Sequence, residues 1–182
     1  MNKLKTLFTI ICLTLTVTLL CCCSAEQKLE KAINKMTKNL SNAKTVTQSI
    51  TVKDGDTLVY QLVKTVEFNG NEANVKVEKS ELANDFTLQT TVTNETTDKS
   101  SQTKLPINLS NSVIQFSVLT SDKLSCVVAQ DKASELLGAD SYTAAGDISI
   151  ECSLQKGSLL QMNCSYATSA HRNVVIAVEC VY

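Results

Sequence analysis

Ile148-Ser149-Ile150-Glu151-Cys152-Ser153-Leu154-Gln155-Lys156-Gly157-Ser158-Leu159-Leu160-Gln161-Met162-Asn163-Cys164-Ser165-Tyr166 alternates apolar and polar side chains on either side of a single turn signal. A period of two puts Ile148, Ile150, Cys152 and Leu154 on one face of a strand and Leu160, Met162, Cys164 and Tyr166 on one face of the next. Lys156-Gly157-Ser158 supplies the turn. A polar turn around Ser169 to Arg172 follows, and Val174, Ile176, Val178, Cys180 and Tyr182 then alternate again. The stretch predicts a three-stranded antiparallel meander at the end of the domain.

Register follows from requiring the apolar residues to share one face. It sets Cys152 opposite Met162 and Cys164 opposite Ile150, with Cys180 beside Met162 or Leu160. Together with Cys126 these are the only thiols beyond residue 25. An even number in an exported chain fits one or two disulfides. The inward positions, where Ile or Val would serve, fit free cysteines acting as small buried hydrophobes equally well. A bridge needs Cα atoms roughly 4.4 to 6.8 Å apart, a span that diagonal cross-strand neighbours usually exceed. With no Cys-x-x-Cys pair and His171 as the single imidazole, no zinc site or other metal is expected.

Upstream, the same period recurs. Val46, Gln48, Ile50 and Val52 form one strand, Leu58 to Phe68 a second, Val75 and Val77 lie on a third, and Phe86, Leu88, Thr90 and Val92 on a fourth. Asp54-Gly55-Asp56 and Asn69-Gly70 are hairpin signals. Residues 94–104 are wholly polar and aperiodic and read as an exposed, mobile loop. Val113 to Leu119 and Lys123 to Val128 read as further strands, with a short helix as the alternative for Asn111 to Phe116. Asp131 is placed to cap a brief helix that Gly138 stops. Ahead of the first strand, Leu29, Ile33, Met36 and Leu40 recur at steps of four, three and four between charged residues, the pattern of an amphipathic helix of about four turns. The expectation is an α+β domain over 26–182, its N-terminal helix packed on a curved, mainly antiparallel sheet of about seven to eight strands.

Residues 1–25 stand apart. An uncharged apolar run from Leu7 to Cys23 follows Lys3 and Lys5 and ends in small residues at Cys23-Ser24-Ala25, the composition of an export signal. Three fates fit. Cleavage ahead of Glu26 would release a secreted protein. Diacylglyceryl transfer to Cys22 or Cys23, with Leu19-Leu20-Cys21-Cys22 or Leu20-Cys21-Cys22-Cys23 as the lipobox, would leave a lipoprotein. An uncleaved anchor is the third, the run lying at the lower edge of the ~17 to 25 residues that span a bilayer.

Composition excludes several functions. Without Lys3 and Lys5 the chain carries 15 basic against 18 acidic residues, and the lysines are scattered, so no nucleic acid is expected as a partner. Four Phe, four Tyr and no Trp leave little to stack on sugars or bases. His171 sits in a turn with no activated nucleophile in reach of the pattern. The carboxylate pairs Asp54 with Asp56 and Glu78 with Glu81 read as turn formers and solvated strand faces. Four Asn-x-Ser/Thr sequons begin at Asn39, Asn94, Asn108 and Asn163 and bear on a secreted glycoprotein only in a eukaryotic source.

An export signal, an amphipathic helix at Leu29 to Leu40 and long Val/Thr strands over Ser49 to Val77 together resemble the lipoprotein-carrier and mycobacterial lipoprotein superfamily. Gln155 to Leu159 followed by Met162 to Tyr166 is similar to the final hairpin of many small exported bacterial proteins. The resemblance implies a half-barrel sheet around an apolar cavity beneath helices. The expectation is a non-enzymatic, extracytoplasmic protein of the cell envelope whose sheet binds an apolar ligand or a protein partner, without a cofactor. Membrane contact would come only through a lipid anchor or an uncleaved signal. A structural or surface-interaction protein of the envelope, or a secreted disulfide-bonded glycoprotein, is the alternative.

Overall fold

The structure, a computed structural model, describes residues 25–138 and 143–182. Cys22 and Cys23 lie outside the described residues. Helix α1 covers 25–39 and tightens into a 3-10 turn at Leu40–Asn42. Four strands follow, β1 (Thr45–Asp54), β2 (Thr57–Asn69), β3 (Glu72–Leu82) and β4 (Leu88–Asp98). A connection then leads to β5 (Phe116–Leu119), β6 (Lys123–Val128), the short helix α2 (Ala133–Leu137), β7 (Ile148–Gln155), β8 (Ser158–Ala167) and β9 (Asn173–Val181). Among the described residues these nine strands form one open sheet in the order β4-β3-β2-β1-β9-β8-β7-β6-β5, antiparallel throughout.

The last strand lies beside the first. β9 pairs with β1 from Thr45 opposite Val181 to Lys53 opposite Asn173, which joins the meander β1–β4 to the meander β5–β9. The predicted C-terminal register is found at the cysteines, with Cys152 opposite Met162 and Ile150 opposite Cys164, but it shifts after Ser153, where Leu154 meets Leu159 and Leu159 takes the fully buried place expected of Leu160. Lys156 (φ 52°) and Gly157 (φ 83°) carry the turn between β7 and β8. Two consecutive positive φ values define the hairpin turn whose twist matches its strands, and the second of them falls on glycine.

Strand alternation sorts the sheet into two faces. One row runs Ser117, Cys126, Ile150, Cys164, Ile176, Ile50, Leu62, Lys79, Thr91 from β5 to β4. It is apolar over β6, β7, β8, β9, β1 and β2, and polar at β3 and β4. The apolar part joins Leu29, Ile33, Met36 and Leu40 of α1, Ile107, Leu109 and Val113 of the connection, and Leu136 of α2 in one buried cluster. The predicted amphipathic stripe is therefore the buried face of α1. Its end is tied to the β7–β8 turn, where the Asn39 amide donates to Ser158 Oγ (3.1 Å) and more weakly to the Gly157 carbonyl (3.4 Å). A smaller cluster of Val66, Ala73 and Val75 supports β2 and β3.

Several expectations are corrected. The sheet has nine strands rather than seven to eight, because the segment left open between strand and short helix contributes a strand, β5, at its end (Phe116–Leu119). Residues 94–104 are mostly exposed, with Thr97, Lys99, Gln102 and Thr103 partly buried, and do not form one loop: 94–98 complete β4 and Lys99–Gln102 form a 3-10 turn. Every β4 residue except Thr97 is exposed, so the strand buries no face that would write an alternating pattern, while its backbone pairs with β3 at eleven positions. Phe86 is no strand residue. It sits at φ 63°, 85% exposed, in the β3–β4 turn, which Asp85 braces by accepting from Thr87 N–H (3.1 Å) and Thr87 Oγ1 (2.6 Å). Residues 111–113 form a turn, and no helix replaces it before β5. Asp131 caps nothing, since α2 starts after a 3-10 turn at Gln130–Lys132 and its N-cap is Lys132, whose side chain makes no capping bond and instead donates to Glu135 Oε1 (2.6 Å). Gly138 does end α2, at φ 83°.

Candidate interaction face

The four predicted thiols all point into the core cluster and are free. Cys126 and Cys152 are diagonal neighbours across β6 and β7, because Cys126 faces Ile150 and Cys152 faces Leu124. Cys152 and Cys164 are diagonal across β7 and β8. Burial pushes the Cys126 and Cys180 thiols up to about 11, and those of Cys152 and Cys164 to about 12, with Cys126 and Cys164 adding to the rise at Cys152. A thiol that holds its proton at neutral pH is neither a nucleophile nor a metal ligand. These cysteines pack as apolar side chains.

The other chemistry-bearing residues are dispersed. His171 sits in the β8–β9 turn, exposed at φ 59°, donating its backbone N–H to the Thr168 carbonyl. Asp54 ends β1 and Asp56 lies in the turn after it, both exposed. Glu78 and Glu81, on opposite faces of β3, bond Lys76 (3.0 Å) and Lys79 (2.8 Å) respectively. Among the described residues no three His, Cys, Asp or Glu side chains converge on a metal position. Of the sequon asparagines, Asn94, Asn108 and Asn163 are exposed and Asn39 is held in the contact with Ser158.

The second face of the sheet is different in kind. A row across all nine strands reads Val118, Ser125, Glu151, Asn163, Ala177, Ser49, Val63, Glu78, Val92. Thr45, Thr47 and Thr51 of β1 and Ser149 and Ser153 of β7 lie on the same side. Neither helix covers it, since both pack into the core-face cluster. The connection after β4 also crosses the core face, where the Gln48 amide donates to the Lys104 carbonyl (2.8 Å). Threonine and serine recur over the open face among charged and amide side chains, and Phe116, Val118, Val175 and Val92 are exposed between them. Sequence patterning placed these positions on separate strands; that they unite on one face, which no described element covers, follows from the strand order.

A groove of about 490 Å³ lies on the other side, between the connection and α2, lined chiefly by Leu105, Pro106, Ile107, Leu136 and Leu137. It is shallow apolar surface above a filled core, since Ile107 and Leu136 are themselves buried beneath it. No protein-family model matches the chain, and no curated protein matches it.

Proposed function

We propose that this is an exported, non-enzymatic protein of the cell envelope that binds a protein partner through the open face of its sheet. Export rests on Lys3, Lys5 and the apolar run Leu7 to Cys23. The observation that carries the binding reading is the asymmetry of the two faces. One is filled by α1, α2 and the connection; the other extends over nine strands with Phe116, Val118, Val175 and Val92 exposed among polar side chains. Apolar side chains ringed by polar ones are the usual make-up of a protein-binding surface.

The test is site-specific cross-linking in the cell that makes the protein. A photoactivatable residue at Val118, Val175 or Ala177 on the open face should give one discrete adduct, and the same residue at Lys31 on the exposed side of α1 should give none. Equal labelling at all four positions, or none at any, would count against the reading. The groove beside α2 supports a second reading, an apolar ligand held by Leu105, Pro106 and Leu137. Displacement of a fluorescent fatty acid, reduced by Leu105→Asp, would favour it. The intact mass of the purified protein decides between cleavage ahead of Glu26 and acylation of Cys22 or Cys23.

A further inference from the structure

The outer edge of β4 is a long row of backbone groups, and two bonds fix which residues point outward. Ala83 N–H donates to the Thr87 carbonyl (2.8 Å) and Lys99 N–H donates to the Asn71 carbonyl (3.0 Å). Both continue the β3–β4 register, in which Glu81 faces Gln89 and Ala73 faces Thr97. Antiparallel ladders bond every second pair, so the odd-numbered residues of β4 turn their N–H and C=O toward β3. Leu88, Thr90, Val92, Asn94 and Thr96 turn theirs outward, where no described strand lies, while the carbonyl of Asp98, at the strand's end, accepts from Ser101 Oγ (2.7 Å). Edges of this kind are normally blunted by shortness, lysine, proline or a bulge. β4 has eleven residues, no Lys, Arg or Pro, and an unbroken register. The opposite edge, β5, is only four residues long.

We propose that the β4 edge is a self-association interface, on which a second copy of the chain docks β4 to β4, antiparallel, about a two-fold axis at Thr93. A two-fold contact must be self-complementary, and β4 satisfies this in the register that overlaps Leu88–Asp98 completely. Thr93 then meets Thr93 of the second copy, Val92 meets Asn94, Thr91 meets Glu95, Thr90 meets Thr96 and Leu88 meets Asp98. The two charges of the strand, Glu95 and Asp98, both face uncharged residues, so no like charges oppose. Threonine pairs are favourable cross-strand neighbours. The outward N–H and C=O groups of Thr90, Val92, Asn94 and Thr96 all find partners, and one sheet runs through both copies. The strand is therefore complementary to itself in length, charge and hydroxyl pairing, which selects a second copy as its occupant. This inference does not rest on the open face binding a partner.

Sedimentation velocity of the purified protein over a hundredfold concentration range tests it, with the expected result a reversible monomer–dimer equilibrium. Thr90→Pro removes an outward N–H, which an edge strand tolerates, and should weaken dimerisation at least tenfold while the far-ultraviolet spectrum stays unchanged. Should Thr90→Pro unfold the chain, Thr93→Lys places two ammonium groups across the axis with the backbone intact, and the same tenfold loss is expected. Thr93→Cys, in a non-hydrogen-bonded pair across the axis, should oxidise to a covalent dimer at least tenfold faster than Thr91→Cys. The inference is overturned by a protein that stays monomeric throughout, by equal cross-linking at positions 91 and 93, by a dimer indifferent to the folded β4 variants, or by a β4 edge that binds another protein's strand while the chain stays monomeric.

Discussion

Thr45, the first residue of β1, is paired with Val181, the last residue of β9. The described chain thus closes on itself at the centre of its sheet, and the two strands furthest apart in sequence form the seam between its halves. Ile176 and Val178 of β9 lie in the buried cluster at this seam, and Met162 of the adjoining β8 faces Val178.

Met162 is fully buried, so Met162→Ala should cost roughly 2 to 5 kcal/mol through lost burial and an unfilled cavity. Thr47→Ala, at a partly exposed site of the open face, should shift stability by no more than about 0.5 kcal/mol. Urea unfolding followed by circular dichroism measures both. Removing residues 173–182 leaves β1 and β8 without their shared partner, and the shortened chain should show no cooperative transition.

Gly157 is where α1 presses on the sheet. A Cβ at this residue would stand 2.7 Å from Lys35 Cδ and Cε, on a backbone at φ 83°. Gly157→Ala should therefore destabilise by about 1 to 2 kcal/mol from left-handed strain alone, and further if the Lys35 stem cannot swing away. A double-mutant cycle with Lys35→Ala separates the two causes: the part recovered belongs to the lysine, the remainder to the backbone.

The thiols predict a loss of stability in alkali. Their folded values, about 11 for Cys126 and Cys180 and about 12 for Cys152 and Cys164, stand above the ordinary 9.0. Because the folded state holds these protons more tightly than the unfolded chain, the stabilisation is complete below pH 9 and is lost as pH rises through 11 to 12. Denaturant midpoints should stay level up to about pH 9 and then fall. A Cys152→Ala, Cys164→Ala variant should fall less steeply. At pH 8 the native protein should resist iodoacetamide at all four positions, and the unfolded protein should react at each.

Asp85 gives the opposite sign. Its bonds from Thr87 Oγ1 and then Thr87 N–H hold the carboxyl below its ordinary 3.8. The brace at the β3–β4 turn is therefore present above that value and lost as pH falls through the lower folded one. The Thr87 amide resonance should titrate with a midpoint below 3.8, and Asp85→Ala should abolish that titration while the core resonances stay in place.

The clearest parts of the sequence are those where burial is one-sided. Cys152, Met162 and Cys164 sit where the period of two sets them, because each alternate side chain of β7 and β8 either enters the core or meets water. Leu29, Ile33, Met36 and Leu40 are equally plain for α1. Legibility fades along β4: Leu88, Thr90 and Val92 mark its first half as a strand, while 94–98, with threonine, asparagine and glutamate wet on both faces, carry no period and read as loop. It fails again at Phe86, whose apolar side chain continues the alternation of Leu88 and Val92 while its backbone turns into the left-handed region. The open face escapes notice for a related reason: its residues belong to separate strands, and only the order of the strands assembles them.

By itself the sequence determined the local elements: the helix stripe, the turns at Gly55, Gly70 and Gly157, the inward register of the cysteines and the hairpin neighbours. Each depends on side chains within reach of one another along the chain. Tertiary structure alone decided that β9 lies against β1, that the two meanders make one open sheet among the described residues, and that β4 is an edge strand of that sheet. Distant strands are joined by backbone hydrogen bonds that are the same for almost every residue. Which edges meet is therefore set by how the whole apolar surface is most fully covered, a property of the assembled sheet rather than of any segment.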